Sequence, residues 1–223
     1  MPRRLGDATW SELDGDAARL ILAVPLGSTE QHGPHLPLST DTDIAVAVCE
    51  RLAAARPDVV VAPPIAYGSS GEHAGFVGTL SIGQAALEMV IVELVRSADA
   101  FAGVVLVCAH GGNAEPVGRA VTTLRQEGRR VVAWAPRAYE DAHAGRSETS
   151  ILLALDATRV RVEAAQPGAT EPLPELMGAL RTGGVRAVSP NGVLGDPTDA
   201  SADEGRALLD ALVSDLTTCV DAL

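Results

Sequence analysis

Leu20-Ile21-Leu22-Ala23-Val24-Pro25-Leu26-Gly27-Ser28-Thr29-Glu30-Gln31-His32-Gly33-Pro34-His35 is the stretch whose reading decides the fold. An apolar run without alternation breaks abruptly into a polar loop rich in glycine and proline. Such a run, too short for a helix and apolar at every position, reads as a strand covered on both faces. The same figure recurs along the chain. Val59–Ala62 leads toward Tyr67-Gly68-Ser69-Ser70-Gly71-Glu72-His73, and Val104–Cys108 ends in Ala109-His110-Gly111-Gly112-Asn113. Val131–Ala135 precedes His143-Ala144-Gly145-Arg146-Ser147-Glu148-Thr149-Ser150.

Segments of helical period fill the intervals: Asp43–Ala55, Gln84–Ala100 and Glu115–Glu127. Alternating strands and helices predict an α/β fold, a mostly parallel sheet flanked by helices on both faces, in a single domain spanning residues 1–223. Beyond residue 140 the pattern predicts a helix at Glu148–Leu155, a strand at Val160–Ala164, a loop over Gly183–Ala200 and a last helix over Ala202–Ala222.

Composition narrows the chemistry. The chain has 223 residues, of which 47% are hydrophobic and 3% aromatic, so its core is built from Ala, Val, Leu and Ile. A net charge of −12 argues against a nucleic-acid or anionic-membrane surface. Every basic residue is arginine, which excludes lysine Schiff-base and P-loop chemistry. Cys49, Cys108 and Cys219 are far apart and form no CxxC pair, so neither a disulfide framework nor a cysteine zinc site is expected. No apolar h-region follows Met1-Pro2-Arg3-Arg4, and no run approaches the ~20 residues that cross a bilayer. A cytoplasmic protein is expected.

All five histidines sit in glycine- or proline-rich segments beside carboxylates. In parallel sheets ligands bind beyond the carboxyl ends of the strands, where these loops fall. Residues i and i+2 on a strand end point the same way, so Glu30 and His32 can face one point. Imidazole and carboxylate together suit divalent zinc, iron or manganese. The alternative is loop histidines satisfied by backbone and water, and Asp41 as a plain helix cap. Ser69, Ser70, Gly111 and Asn113 are either hydrogen-bonding groups or turn formers.

The run from Val24 through Glu30-Gln31-His32-Gly33-Pro34-His35 to Asp41 resembles the signature of the creatininase (creatinine amidohydrolase) family. His110-Gly111-Gly112-Asn113, His143 through Ser150, Gly68–Thr79 and Gly192–Pro197 resemble its other motifs, so the likeness covers nearly the whole chain. Within the family, the short chain and the His143–Ser150 motif most resemble the mycofactocin-system peptidase branch. The resemblance implies a homo-oligomer, a hexamer or larger ring, with two divalent metal ions, zinc or iron first and manganese as a further option. It implies that Glu30 and His110 hold one ion, His32 the other, and Asp41 bridges. Creatininase itself carries a glutamate where this chain has Gly112; Glu148 is the candidate replacement, or else a buried ion-pair or helix-capping group.

The implied reaction is hydrolysis of a C–N bond by metal-activated water. His143 is the expected proton shuttle, with His73 as its alternative or as a substrate group. Arg146 is expected to pair with a substrate carboxylate, or else to be a solvated surface residue. The implied substrate is a modified precursor peptide losing its C-terminal Val–Tyr-derived pair. Creatinine hydrolysis, formamidopyrimidine-nucleotide deformylation and a non-catalytic metal-binding docking subunit are the alternatives.

Overall fold

The computed structural model describes residues 3–137, 139 and 141–223. Strands β1 (Ile21–Leu26), β2 (Val59–Val61), β3 (Gly103–Cys108) and β4 (Val131–Trp134) form one sheet in the order β2-β1-β3-β4. Every neighbouring pair is parallel, with Ile21 opposite both Val59 and Gly103. The helices are α1 (Trp10–Leu13), α2 (Thr40–Ala55), α3 (Gln84–Arg96), α4 (Ala114–Gln126), α5 (Arg146–Asp156), α6 (Leu173–Val188) and α7 (Ala202–Asp221).

Strand alternation sorts the core into two layers. Ala23, Val59, Val61, Val105 and Val107 turn toward α2, α5 and α7, meeting Ile44, Val48, Leu52, Ile151, Leu152, Leu212 and Leu216. Leu22, Val24, Leu26, Val60, Leu106 and Cys108 turn the other way, onto Leu87 and Ile91 of α3 and Val117, Ala120 and Leu124 of α4. Covered on both faces, the strands can be apolar throughout, which is what their sequences are. Leu106 is fully buried at the centre; Leu106→Ala costs about 2–5 kcal/mol by the usual cavity penalty.

The strand order places a topological switch between β1 and β3. The chain leaves β1 to one side through α2 and returns to the other side of β1 through α3 and β3. At such a point the two outgoing loops diverge and open a crevice at the carboxyl edge. The loop carrying Glu30 and His32 leaves β1 there, and the one carrying His110 leaves β3 beside it.

The expected α/β architecture holds, and three local expectations do not. The helix expected from Asp43 begins at Thr40, so Asp41 lies inside its first turn. Val160–Ala164 is not a strand: Val162–Ala164 is a single 3-10 turn, and the Arg161 N–H bonds to the His35 carbonyl instead of to a sheet neighbour. The expected loop from Gly183 starts as the end of α6, where Gly184 at φ +69° joins two helical pieces across a kink.

Candidate metal centre

Four loops and two helix turns converge beyond the carboxyl ends of the strands. Glu30 and His32 follow β1, and Asp41 enters from the first turn of α2. His73 comes from the 3-10 turn after β2, His110 from the end of β3, and His143 and Glu148 from the start of α5. All seven side chains are buried. The ligating atoms of all but His73 fall into three overlapping groups: Glu30, Asp41 and His110; His32, Asp41 and Glu148; and Glu30, His32 and His143. Within each group the atoms lie inside 4.8 Å of one another.

Asp41 belongs to two of these groups. Its Oδ1 lies 3.1 Å from Nε2 of His32 and its Oδ2 3.2 Å from Nδ1 of His110. The Ser28 hydroxyl donates to Oδ2 at 2.7 Å and holds the carboxylate in place. Asp41 does not cap its helix; the preceding cap position is Ser39, whose hydroxyl donates to Asp43. Its place near the positive end of α2 nevertheless favours the ionised form.

Glu30 is the most telling residue. Among the described residues neither oxygen has a hydrogen-bond partner, although both are buried. His73 Nε2 stands 3.1 Å from Oε1 and His110 Nε2 3.2 Å from Oε2, ion-pair separations without hydrogen-bond alignment. An ionised carboxylate buried without aligned donors is costly unless a cation meets it. Groups aimed past one another at a common point suit a divalent ion, and the O/N donor set matches zinc, iron(II) or manganese.

The remaining expected residues take different places. Glu148 accepts the Ala144 N–H at 2.6 Å and keeps its Oε2 3.9 Å from His32 Nε2. His32 in turn has Nδ1 3.2 Å from the Glu30 carbonyl, the outer contact that usually orients a metal-binding imidazole. His35 lies outside the cluster, its Nε2 2.9 Å from the Thr149 hydroxyl. Asn113, expected as a possible substrate contact, is spent internally: it accepts the Ser69 N–H at 2.8 Å and donates to the Gly27 carbonyl at 2.9 Å, bracing three loops. Ser69 presents its carbonyl to His110 Nε2 at 3.1 Å. Arg146, expected to face a substrate carboxylate, instead meets both oxygens of Glu204 at 2.9 Å.

Gly112 has a steric reason. A side chain there would collide with the Glu72 carboxylate and the Ser69 carbonyl, and would come within 2.5 Å of His110 Nε2. Glu72, with Oε1 3.5 Å from His110 Nε2, occupies that space. Sequence reasoning missed Glu72, although it immediately precedes His73. It also missed Tyr139, whose buried hydroxyl has no hydrogen-bond partner among the described residues and which lines a cavity of about 440 Å³ beside Asp41, His110, His143 and Glu148.

The electrostatics follow from crowding carboxylates and imidazoles out of water. Burial alone would lower the pKa of His32, but Asp41, Glu148 and Glu30 pull it up to about 10. His110 is likewise raised against burial by Glu30 and Asp41. Burial lifts Glu148 to about 7, with His32 opposing. His73, lowered to about 4 by burial despite Glu30, and His143, lowered by burial and by neighbouring His32 and His73, stay neutral. The carboxylates thus favour the protonated forms of His32 and His110.

A family model described as creatinine amidohydrolase matches residues 6–220. The mycofactocin precursor peptide peptidase of Mycolicibacterium smegmatis is 49% identical over 221 residues, 96% of this chain and 88% of that protein. A crystal structure of creatinine amidohydrolase (creatininase) superposes with a TM-score of 0.82 at 26% identity, over 98% of this chain and 96% of that one. A structure described as creatininase Mn gives a TM-score of 0.81 at 25% identity, over 99% and 98%. With a signature that runs from β1 into α2 and a match over almost its whole length, the chain belongs to the creatininase family of amidohydrolases.

Proposed function

We propose that this protein is a two-metal peptide hydrolase whose substrate is a modified precursor peptide, cut to release its C-terminal Val–Tyr-derived pair. The single observation that carries the metal is Glu30, a buried carboxylate with no aligned donor among three imidazoles. The substrate rests on the relative at 49% identity named a mycofactocin precursor peptide peptidase.

Glu30, Asp41 and His110 would hold one cation, and His32, Asp41 and Glu148 the other, with Asp41 shared. Such a pair supplies Lewis-acid polarisation of a carbonyl and an acidified water, whose pKa falls from about 15.7 to about 7. The chain's own groups do the rest. Ser28 fixes the Asp41 carboxylate, and the Glu30 carbonyl orients the His32 ring. The buried, neutral His143 carries a proton to the departing nitrogen. The cavity beside the cluster admits an extended chain end, with Val117 and Trp134 as apolar wall. Zinc and iron are the first candidates, with manganese a further option.

Creatinine hydrolysis is disfavoured because Gly112 leaves no room for a carboxylate there. A homo-oligomer, a hexamer or larger ring, belongs to the same proposal. Tyr67, Val77, Leu80, Ile82 and Met89 leave large apolar side chains exposed. A cytoplasmic location is also part of it, in keeping with three free thiols; no helix among the described residues is long and apolar enough to cross a membrane.

The test incubates metal-reconstituted protein with the radical-modified precursor peptide, creatinine and a formamidopyrimidine nucleotide in parallel, read by mass spectrometry. Release of the C-terminal pair from the peptide is expected. Turnover of creatinine alone overturns the substrate; cleavage of none by protein with its full metal content supports the non-catalytic alternative.

A further inference from the structure

Gln31 sits between the proposed ligands Glu30 and His32, yet it touches neither ion-binding group. Its side-chain nitrogen lies 2.9 Å from Nδ1 of His73, 3.0 Å from Nε2 of His143 and 3.0 Å from the carbonyl of Gly192. Its side-chain oxygen accepts the Gly33 N–H at 2.9 Å. Its own backbone carbonyl lies 2.8 Å from Nε2 of His143. Gly192 has φ +82°, and a side chain there would run into the Gln31 amide, so the glycine makes the close approach.

Donor and acceptor accounting fixes the protons. The Gly33 N–H can only donate and the Gly192 carbonyl can only accept, so the two backbone groups set which end of the amide is oxygen. The NH2 has two hydrogens, and Gly192 takes one. The Gln31 backbone carbonyl can only accept, so Nε2 of His143 carries its proton to it and cannot also accept from the amide. The second amide hydrogen therefore goes to Nδ1 of His73. That nitrogen is bare, and the His73 proton sits on Nε2, 3.1 Å from Glu30 Oε1. Nε2 of His143 carries a proton, which in the neutral ring leaves Nδ1 bare, 3.9 Å from the same oxygen.

We propose that Gln31 is a positioning residue that gives two adjacent imidazoles unlike roles, His73 presenting N–H to the centre and His143 presenting a bare Nδ1. The two rings stack obliquely, with centroids 4.4 Å apart. A bare nitrogen and a donor nitrogen thus stand side by side at one cluster. The inference rests on the hydrolase reading only for what the two nitrogens do in cleavage; the tautomers of the neutral rings follow from the contacts.

The test is ring-nitrogen NMR on protein with labelled histidine, metal-free and zinc-loaded, with zinc content and peptide cleavage measured on the same samples. The wild type is expected to show Nε2–H, Nδ1-bare rings at His73 and His143. In Q31E a carboxylate replaces the donor, and His73 is expected to move its proton to Nδ1. In Q31M, kept for the case that a buried charge prevents folding, His73 is expected to lose its single tautomer. Both variants should keep the wild-type zinc content and KM and lose tenfold or more in kcat. A bare Nε2 at His73 in the wild type, or an unchanged His73 tautomer in the folded variant, overturns the proposal. Loss of zinc in either variant also overturns it, because Gln31 would then act on the ligands. Wild-type protein that binds no zinc while showing the expected tautomers defeats the metal-hydrolase reading and leaves the Gln31 assignment standing.

Discussion

The carboxylate of Glu72 fills the space that any side chain at Gly112 would need, and both stand against Nε2 of His110. The relationship explains why a glycine follows two residues after the metal-facing histidine. One of the atoms in the way is the Ser69 carbonyl, which belongs to the backbone and cannot swing aside. Gly112→Ala is expected to destabilise the fold by about 1–3 kcal/mol, the usual cost of overpacking, and to displace His110. Gly112→Glu should be worse and should lower metal content. Thermal unfolding and metal analysis check both; a stable Gly112→Glu protein with two tightly held ions would mean that Glu72 moves freely.

Ser28 donates to Asp41 within the buried cluster. Outer partners of this kind usually contribute ~10–100-fold to metal affinity. Ser28→Ala should lower affinity by that range while leaving the fold intact, as read by titration with a competing chelator. Asp41→Asn should be more severe and should weaken both ions together, because both proposed groups include it. Loss of one ion alone would remove the bridging role.

The metal-free and metal-loaded proteins should respond to pH with opposite signs. In the metal-free form the pKa of His32 is about 10, above its ordinary value of 6.5. A group raised in this way stabilises the fold fully below pH 6.5 and loses that contribution as pH rises toward 10. Metal binding instead needs bare imidazoles, so affinity rises with pH and binding releases protons. Calorimetry in buffers of different ionisation enthalpy should detect proton release near pH 7. Binding without proton release would contradict the charge state assigned to His32 and His110.

Arg146 and Glu204 form a partly exposed ion pair, and Glu204 also accepts from the Ser150 hydroxyl at 3.1 Å. Arg146→Ala should cost at most about 1 kcal/mol, since solvent screens such pairs. KM for the peptide should be unchanged. A large rise in KM would restore the substrate-binding role that the sequence suggested.

Much of this architecture is legible in the chain because its signals are local. Each strand is an unbroken apolar run, and each ends in a loop whose histidine or carboxylate marks the sheet's ligand edge. Elements that depend on distant contacts are not. Val160 and Val162 alternate like a strand, but the four-stranded sheet takes neither, and Val162 is 58% exposed. Residues 173–188 read as a loop at their glycine-rich end, because Gly183-Gly184 marks a kink within α6. Tyr139 carried no motif signal, and Gln31 lay inside the signature run with no role marked for it. The contacts of Gln31 reach His143 and Gly192, 112 and 161 residues away, and nothing local announces them.

Anomalous diffraction from zinc-loaded crystals tests the central claim most directly. The account predicts two peaks about 3.5–4 Å apart, one on each side of the Asp41 carboxylate, the first within ligating distance of Glu30 and His110 and the second of His32 and Glu148. Fully loaded crystals with no peak in contact with Asp41 would contradict it.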